Sequence, residues 1–183
     1  MTDVKTTKAT PTQAADPDLW HLSRDGTEAR LTGFEFSLER VMHAFYRWKA
    51  ACLAAVSDAE LTGNDVAVLN TIRMKERPKS RTEIARLLNR EDVSNIQYAL
   101  RKLLREGLIE KCDAASRKTA TYRATKSGVR VTEAYTEMRR AMLIEMSPHL
   151  TDGASPFEEA GALLDLMAGA YDQAAKRAAT QRF

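Results

Sequence analysis

Apolar positions recur with a helical period over most of this chain, interrupted once by a short stretch of period-two alternation. Val41, Met42, Phe45, Tyr46, Trp48, Cys52, Leu53 and Val56 spread over more than one helical stripe. A surface helix needs only one apolar face, so a long helix is predicted from about Phe36 to Ser57, buried on two sides, the second against another chain. Before it, residues 16–33 read as an irregular arm whose Leu19, Trp20, Leu22 and Leu31 can pack on a partner subunit. Thr62 caps a second helix in which Val66, Leu69, Ile72 and Arg73 follow the i, i+3, i+4 rhythm to about Lys75. Pro78 ends the connection, and Ser80-x-x-Glu83 reads as a reciprocal capping box for a short helix buried by Ile84, Leu87 and Leu88.

Asn89, Arg90 and Glu91 form a turn, and Asp92 caps the next helix, with a core stripe of Val93, Ile96, Leu100, Leu103 and Leu104. Gly107 stops that helix by tolerating the left-handed conformation. Leu108–Cys112 and Ala120–Ala124 are short alternating segments around 113–119, so they read as a hairpin with a basic tip. Thr125 caps a helix to about Met146. Pro148, Gly153 and Pro156 then break the chain before a last helix to about Ala179, with Phe157, Leu163, Leu164, Met167, Ala170, Tyr171 and Ala174 on one face.

Two short capped helices followed by a basic two-stranded turn are the sequence form of a winged helix-turn-helix, which offers one helix to the major groove and a cationic flap to the adjacent backbone. The fold class expected is therefore mainly α: a winged helix-turn-helix core with a two-stranded wing, plus N- and C-terminal helices. The chain divides into a disordered tail (1–15), an arm (16–33), a winged domain (61–125) and two helical segments for dimerisation (34–60 and 126–180). The first and last helices carry more apolar surface than a small winged core can cover.

Charge sharpens this picture. The chain of 183 residues carries +3 overall, but residues 77–130 hold 14 Lys/Arg against 6 Asp/Glu, a net of +8 that leaves −5 for the remainder. A basic segment on an otherwise acidic chain is the footprint expected for phosphate contact. No run of ~18 apolar residues occurs, so no membrane span is expected, and Met1–Ala15 lacks the apolar stretch of a signal peptide. Two cysteines are too few for a disulfide scaffold, and a reducing cytoplasm is the simplest home.

With its elements in order, the chain resembles the MarR family of bacterial transcription regulators. The matching residues are Thr82-Glu-Ile-Ala-Arg-Leu-Leu88, Leu103-Leu-Arg-Glu-Gly-Leu-Ile-Glu-Lys111 and Thr125-Lys-Ser-Gly-Val129, the last corresponding to the motif that opens the helix after the wing. The resemblance covers roughly residues 35–175. The arm and the aromatic-rich Ala44-Phe-Tyr-Arg-Trp48 also look like an alphaproteobacterial subgroup that includes regulators of L,D-transpeptidase genes. One departure is in the wing, where the family's Asp-x-Arg pair is replaced by Asp113 and Arg117, four residues apart.

Chemistry supports DNA reading by the helix that Asp92 opens. Ser94, Asn95, Gln97 and Tyr98 can hydrogen-bond base edges, Asn and Gln being suited to adenine, while Arg101 can reach a guanine or a phosphate. Arg90, Lys102 and Arg105 are candidate phosphate contacts. Arg117 and Lys118 are placed to enter the minor groove or follow the backbone, with Arg123 in support. The resemblance implies a homodimer on a pseudo-palindromic operator of double-stranded DNA, the two reading helices about one turn apart. It also implies a small aromatic or anionic effector, for which His43, Tyr46, Arg47, Trp48 and Asn70 are candidate lining. The same aromatics can equally be ordinary core.

Two other readings compete. A winged helix can serve as a protein-interaction module, which the basic excess disfavours, and Cys52 invites a thiol-based redox sensor, which its apolar mid-helix setting disfavours. His21, His43 and His149 lack ligand spacing, no cofactor-binding motif occurs, and no phosphate loop, nucleophile elbow or HExxH motif points to an enzyme.

Overall fold

A computed structural model describes residues 20–112, 120–145 and 156–181. Helix α1 (Gly26–Ala54) is followed by α2 (Gly63–Arg73), a 3-10 turn, the short strand β1 (Lys79–Ser80), α3 (Arg81–Leu87) and α4 (Val93–Arg105). Strands β2 (Ile109–Cys112) and β3 (Thr121–Ala124) precede α5 (Lys126–Arg139), which runs into a π turn over Arg140–Ile144, and α6 (Pro156–Thr180) stands last. The fold is mainly helical with a small antiparallel sheet in the order β1-β3-β2. The sheet has one strand more than the hairpin that the alternation predicts: Lys79 and Ser80 pair with Tyr122 and Thr121. Two residues are too few for a visible alternation, so β1 leaves no trace in the pattern.

Local sequence chemistry sets the helix boundaries. Asp25 opens α1 by accepting the backbone N–H groups of Thr27 at 2.7 Å and Glu28 at 2.9 Å. The helix thus begins inside the segment read as an irregular arm and passes through Gly33, whose position in the sequence resembles a break. A reciprocal capping box exists at Thr62, where the Asp65 carboxylate accepts the Thr62 N–H at 2.9 Å and the Thr62 hydroxyl accepts from Asp65 N–H. At Ser80 only half a box forms: its hydroxyl accepts the Glu83 N–H at 3.2 Å, while the Glu83 carboxylate turns to the Arg77 guanidinium. The charged partner wins over a backbone amide because a guanidinium offers two aligned donors. Gly107 ends α4 at φ +66°, as expected for the left-handed stop.

One core joins these elements. Leu53 of α1, Val68 and Leu69 of α2, Ile84 of α3, Ile96, Leu100 and Leu103 of α4, Ile109 of β2 and Val131 of α5 are all buried in it. Leu87 and Val93, expected in that core, are exposed. Leu87 is the last residue of α3 and Val93 the first of α4, so both sit at the turn and not over the sheet. The C-terminal carbonyls of α2 are closed by Lys79, whose side chain is only 1% exposed. Its Nζ donates to the carbonyls of Ile72 at 3.0 Å, Arg77 at 3.1 Å and Met74. An ammonium satisfying several orphan carbonyls at a helix C-terminus is favourable for charge and hydrogen bonding together.

The outer helices differ from this pattern. The C-terminal part of α1 is anchored by Cys52 and Leu53, whereas Val41, Met42, Phe45 and Tyr46 are exposed. Within one chain the helix is therefore buried on one side, not two. No residue of α6 is buried, and Phe157, Leu163, Leu164 and Leu166 lie at the surface. Side-chain hydrogen bonds from Tyr171 Oη to Glu35 of α1 at 3.0 Å and from Asn89 Nδ2, in the turn after α3, to Asp172 at 3.3 Å tie α6 to the rest.

Candidate nucleic-acid interface

The α3–α4 unit is built around a tight turn in which Asn89 adopts a left-handed φ of 49° and Arg90 N–H donates to Ala85 O at 2.9 Å. Asp92 then starts α4 by accepting the N–H groups of Ser94 at 3.0 Å and Asn95 at 3.2 Å. Ile96, Ala99, Leu100 and Leu103 face the core. The opposite face is a stripe of Ser94, Tyr98, Arg101 and Arg105, spaced by four, three and four residues, all exposed. Tyr98, 60% exposed, stands in the middle of this stripe. The width of this stripe and its basic end suit a helix lying in a groove lined by acceptors and phosphates.

Residues expected to work together separate into three groups. Ser94, Tyr98, Arg101 and Arg105 form the exposed stripe, Arg105 lying 3.4 Å from Glu106. Asn95 and Gln97 are exposed on opposite flanks, each with its amide engaged: Asn95 donates to the Asp92 carboxylate, and Gln97 accepts from Arg81 at 3.3 Å. Lys102 and Arg90 are tied inward. Lys102 Nζ lies 3.3 Å from the buried Asp65 carboxylate, and Arg90 donates to Asn64 of α2. Lys102, expected as a phosphate contact, is held in this structure against a buried carboxylate, whose desolvated charge needs a cation beside it. Arg81 is missing from the sequence-derived set; only its place at the first position of α3 could have singled it out.

The wing pairs in the register Ile109↔Ala124 to Cys112↔Thr121. Arg123 donates across it to Glu110 at 2.6 Å, and both side chains are largely exposed. Arg117 and Lys118, at the expected wing tip, lie outside the described residues.

The candidate ligand residues do not converge on a single cavity. His43 and Arg47 line an open depression on α1 with Ser37, Arg40, Val41 and Ala44. Tyr46 and Phe45 instead hold Lys49, whose Nζ sits 4.2 and 4.1 Å from the two ring centroids. Trp48 packs against the core, Asn70 is half-buried, and the Trp48 Nε1 is buried with no hydrogen-bond partner. His43, Tyr46, Arg47 and Trp48 are near neighbours along α1, and a helix sends consecutive side chains in several directions. A different cavity, of about 430 Å³, lies between Trp20, Phe36, Met42 and Tyr171. Cys52 is 2% exposed, and burial pushes its thiol pKa up, the opposite of what a reactive thiolate requires.

Comparison with known proteins gives the class. Residues 61–128 match the family model described as a winged helix DNA-binding domain. Over about four-fifths of its length the fold is similar to those of solved transcription regulators, a MarR family member among them. One from Neisseria meningitidis has a TM-score of 0.62 at 17% identity, covering 81% of this chain and 97% of its own. The regulator BldR from Sulfolobus solfataricus gives 0.59 at 19%, covering 79% and 98%. MosR from Mycobacterium tuberculosis, solved in complex with DNA, gives 0.58 at 14%, covering 76% and 96%. At these identities the likeness establishes the architecture, a winged helix flanked by helices on both sides. Among curated proteins, none matches in sequence. Among the described residues no helix is long and apolar enough to cross a membrane.

Proposed function

We propose that this chain is a MarR-type transcription regulator that binds double-stranded DNA as a homodimer on a pseudo-palindromic operator. The observation that carries the reading is the exposed stripe of Ser94, Tyr98, Arg101 and Arg105 on a helix whose other face is core. In this reading α4 lies in the major groove, with Ser94 and Tyr98 near base edges, Arg101 at a guanine or a phosphate and Arg105 at a phosphate. The wing, with Arg117, Lys118 and Arg123, runs along the backbone beside it. The match of residues 61–128 to a DNA-binding family supports the same use of the surface.

Dimerisation is supported by the apolar residues of α1 and α6 that stay exposed among the described residues of one chain. Winged domains that act alone have no need of such helices. For modulation by a small aromatic or anionic molecule, the cavity of about 430 Å³ lined by Trp20, Phe36, Met42 and Tyr171 offers apolar room beside Glu35 and Glu39, which favours the aromatic over the anionic class. A ligand acts in such a system only through different affinities for the DNA-competent and incompetent shapes.

A mobility shift on the DNA upstream of the gene, with excess nonspecific competitor, tests the reading. A discrete shift lost in Arg101→Ala, and weakening steeply with salt, supports it. Binding that competitor abolishes equally for both proteins refutes sequence reading at that site.

A further inference from the structure

We propose that Arg81 sets the base preference of Gln97, so that the pair reads guanine and not adenine. The inference rests on α4 reading DNA and adds to that reading the polarity of one contact.

Arg81 opens α3 and Gln97 lies in the second turn of α4; both are exposed, and Arg81 Nη1 donates to Gln97 Oε1 at 3.3 Å. A guanidinium carries only donors, so the amide must turn its oxygen toward it, and no flip of the amide is compatible with the contact. With the oxygen held against α3, the amide NH₂ points away with two N–H donors. Beside it stand the remaining N–H groups of the guanidinium. Glu83, the carboxylate closest to Arg81 in sequence, is engaged by Arg77 and does not compete for it. The edge presented at this corner of α4 is therefore composed of donors.

Base edges in the major groove answer such an edge unequally. Guanine offers two acceptors, N7 and O6. Adenine offers one acceptor beside an amino donor, and cytosine offers an amino donor. A free glutamine suits adenine because its oxygen accepts from the adenine amino group while its NH₂ donates to N7. Here the amino group would approach an oxygen already held by a cation, with guanidinium donors facing it. Asn95 does not substitute as the reader of that base. It lies on the other flank of α4, and its NH₂ is committed to the Asp92 carboxylate. The pair is thus a positioning residue and a reader, and the sequence of Gln97 alone gives the wrong base.

The test is selection of bound duplexes from a randomised library, using the full-length protein as wild type, Gln97→Ala and Arg81→Ala. Melting curves confirm that the exposed substitutions leave the fold intact. The base pair whose preference disappears in Gln97→Ala marks the contact. Wild type is expected to favour guanine over adenine there by about tenfold, and Arg81→Ala to shift that same position toward adenine. Adenine in the wild-type motif overturns the inference while leaving DNA reading intact. So does an Arg81→Ala protein that binds more weakly with unchanged base preferences, the mark of a phosphate contact. A motif in which no position depends on Gln97 overturns it equally. A library that yields no enriched motif with wild type overturns the regulator reading itself, and the inference with it.

Discussion

Lys102 leaves the exposed face of α4 and places its Nζ 3.3 Å from the carboxylate of Asp65, whose side chain is 2% exposed. The same carboxylate closes the capping box of α2 by accepting the Thr62 N–H and hydroxyl, each at 2.9 Å. One buried charge therefore fixes both the start of α2 and the seat of α4 on it.

Removing Lys102 leaves that carboxylate without its cation. Lys102→Met is expected to destabilise the fold by about 3 kcal/mol, as for other broken buried pairs. Arg101→Ala, one residue away on the exposed stripe, is expected to change stability by less than about 0.5 kcal/mol. Urea unfolding of the two variants side by side checks the contrast. Equal stabilities would place Lys102 on the surface after all.

The approach of neighbouring backbones predicts two intolerant glycines. A Cβ on Gly63 would lie 2.5 Å from the Tyr46 carbonyl oxygen, and one on Gly128 would lie 2.0 Å from the Leu108 carbonyl oxygen. Neither backbone neighbour can rotate away as a side chain does. Gly63→Ala and Gly128→Ala are each expected to lower the thermal midpoint, whereas Gly33→Ala, with nothing within 4 Å, is expected to raise it by strengthening α1. A midpoint unchanged by Gly128→Ala would contradict the close seating of α5 on Leu108.

Lys49 is 6% exposed, and burial lowers its pKa while the rings of Phe45 and Tyr46 face the ammonium. A lysine whose folded pKa lies below its unfolded value penalises the fold while protonated. That penalty lifts as pH rises through the folded pKa toward the ordinary lysine value. The stability of wild type relative to Lys49→Met is therefore expected to increase with pH on the alkaline side, measured by denaturant unfolding at a series of pH values. A difference independent of pH would show the ammonium to be solvated.

Leu163 and Leu164 lie on α6, of which no residue is buried within the chain. Leu163→Arg/Leu164→Arg is expected to leave the secondary structure intact and to convert a dimer into a monomer in sedimentation equilibrium. A wild-type protein that sediments as a monomer at all concentrations would remove the basis for this prediction.

The winged core was legible because its signals are local. Thr62, Ser80, Asp92 and Thr125 all cap the helices that the apolar period predicts, and Gly107 stops α4 where expected. What escaped depends on partners distant in the chain. Lys102 reads as a surface cation until Asp65, in another helix, is seen beneath it. Lys79 reads as part of the basic segment, yet three carbonyls enclose it. Gln97 reads as an isolated polar residue of the helix surface until Arg81, sixteen residues earlier, is found on its oxygen. The early start of α1 is hidden for a different reason: the Asp25 cap stands ahead of a segment, 26–35, with little apolar periodicity of its own.

The burial of α1 near its C-terminal end, with its other half tied to α6 through Glu35 and Tyr171, has a mechanical consequence. The 29 residues of α1 make a rod of about 40 Å that grips the core near Cys52 and Leu53. A tilt of about 5° at that grip displaces the Gly26 end by roughly 3 Å, since displacement grows with distance from the pivot. Small repacking around Leu53 is in this way geared up into a large change at the far end of the molecule, and the same gearing works in reverse.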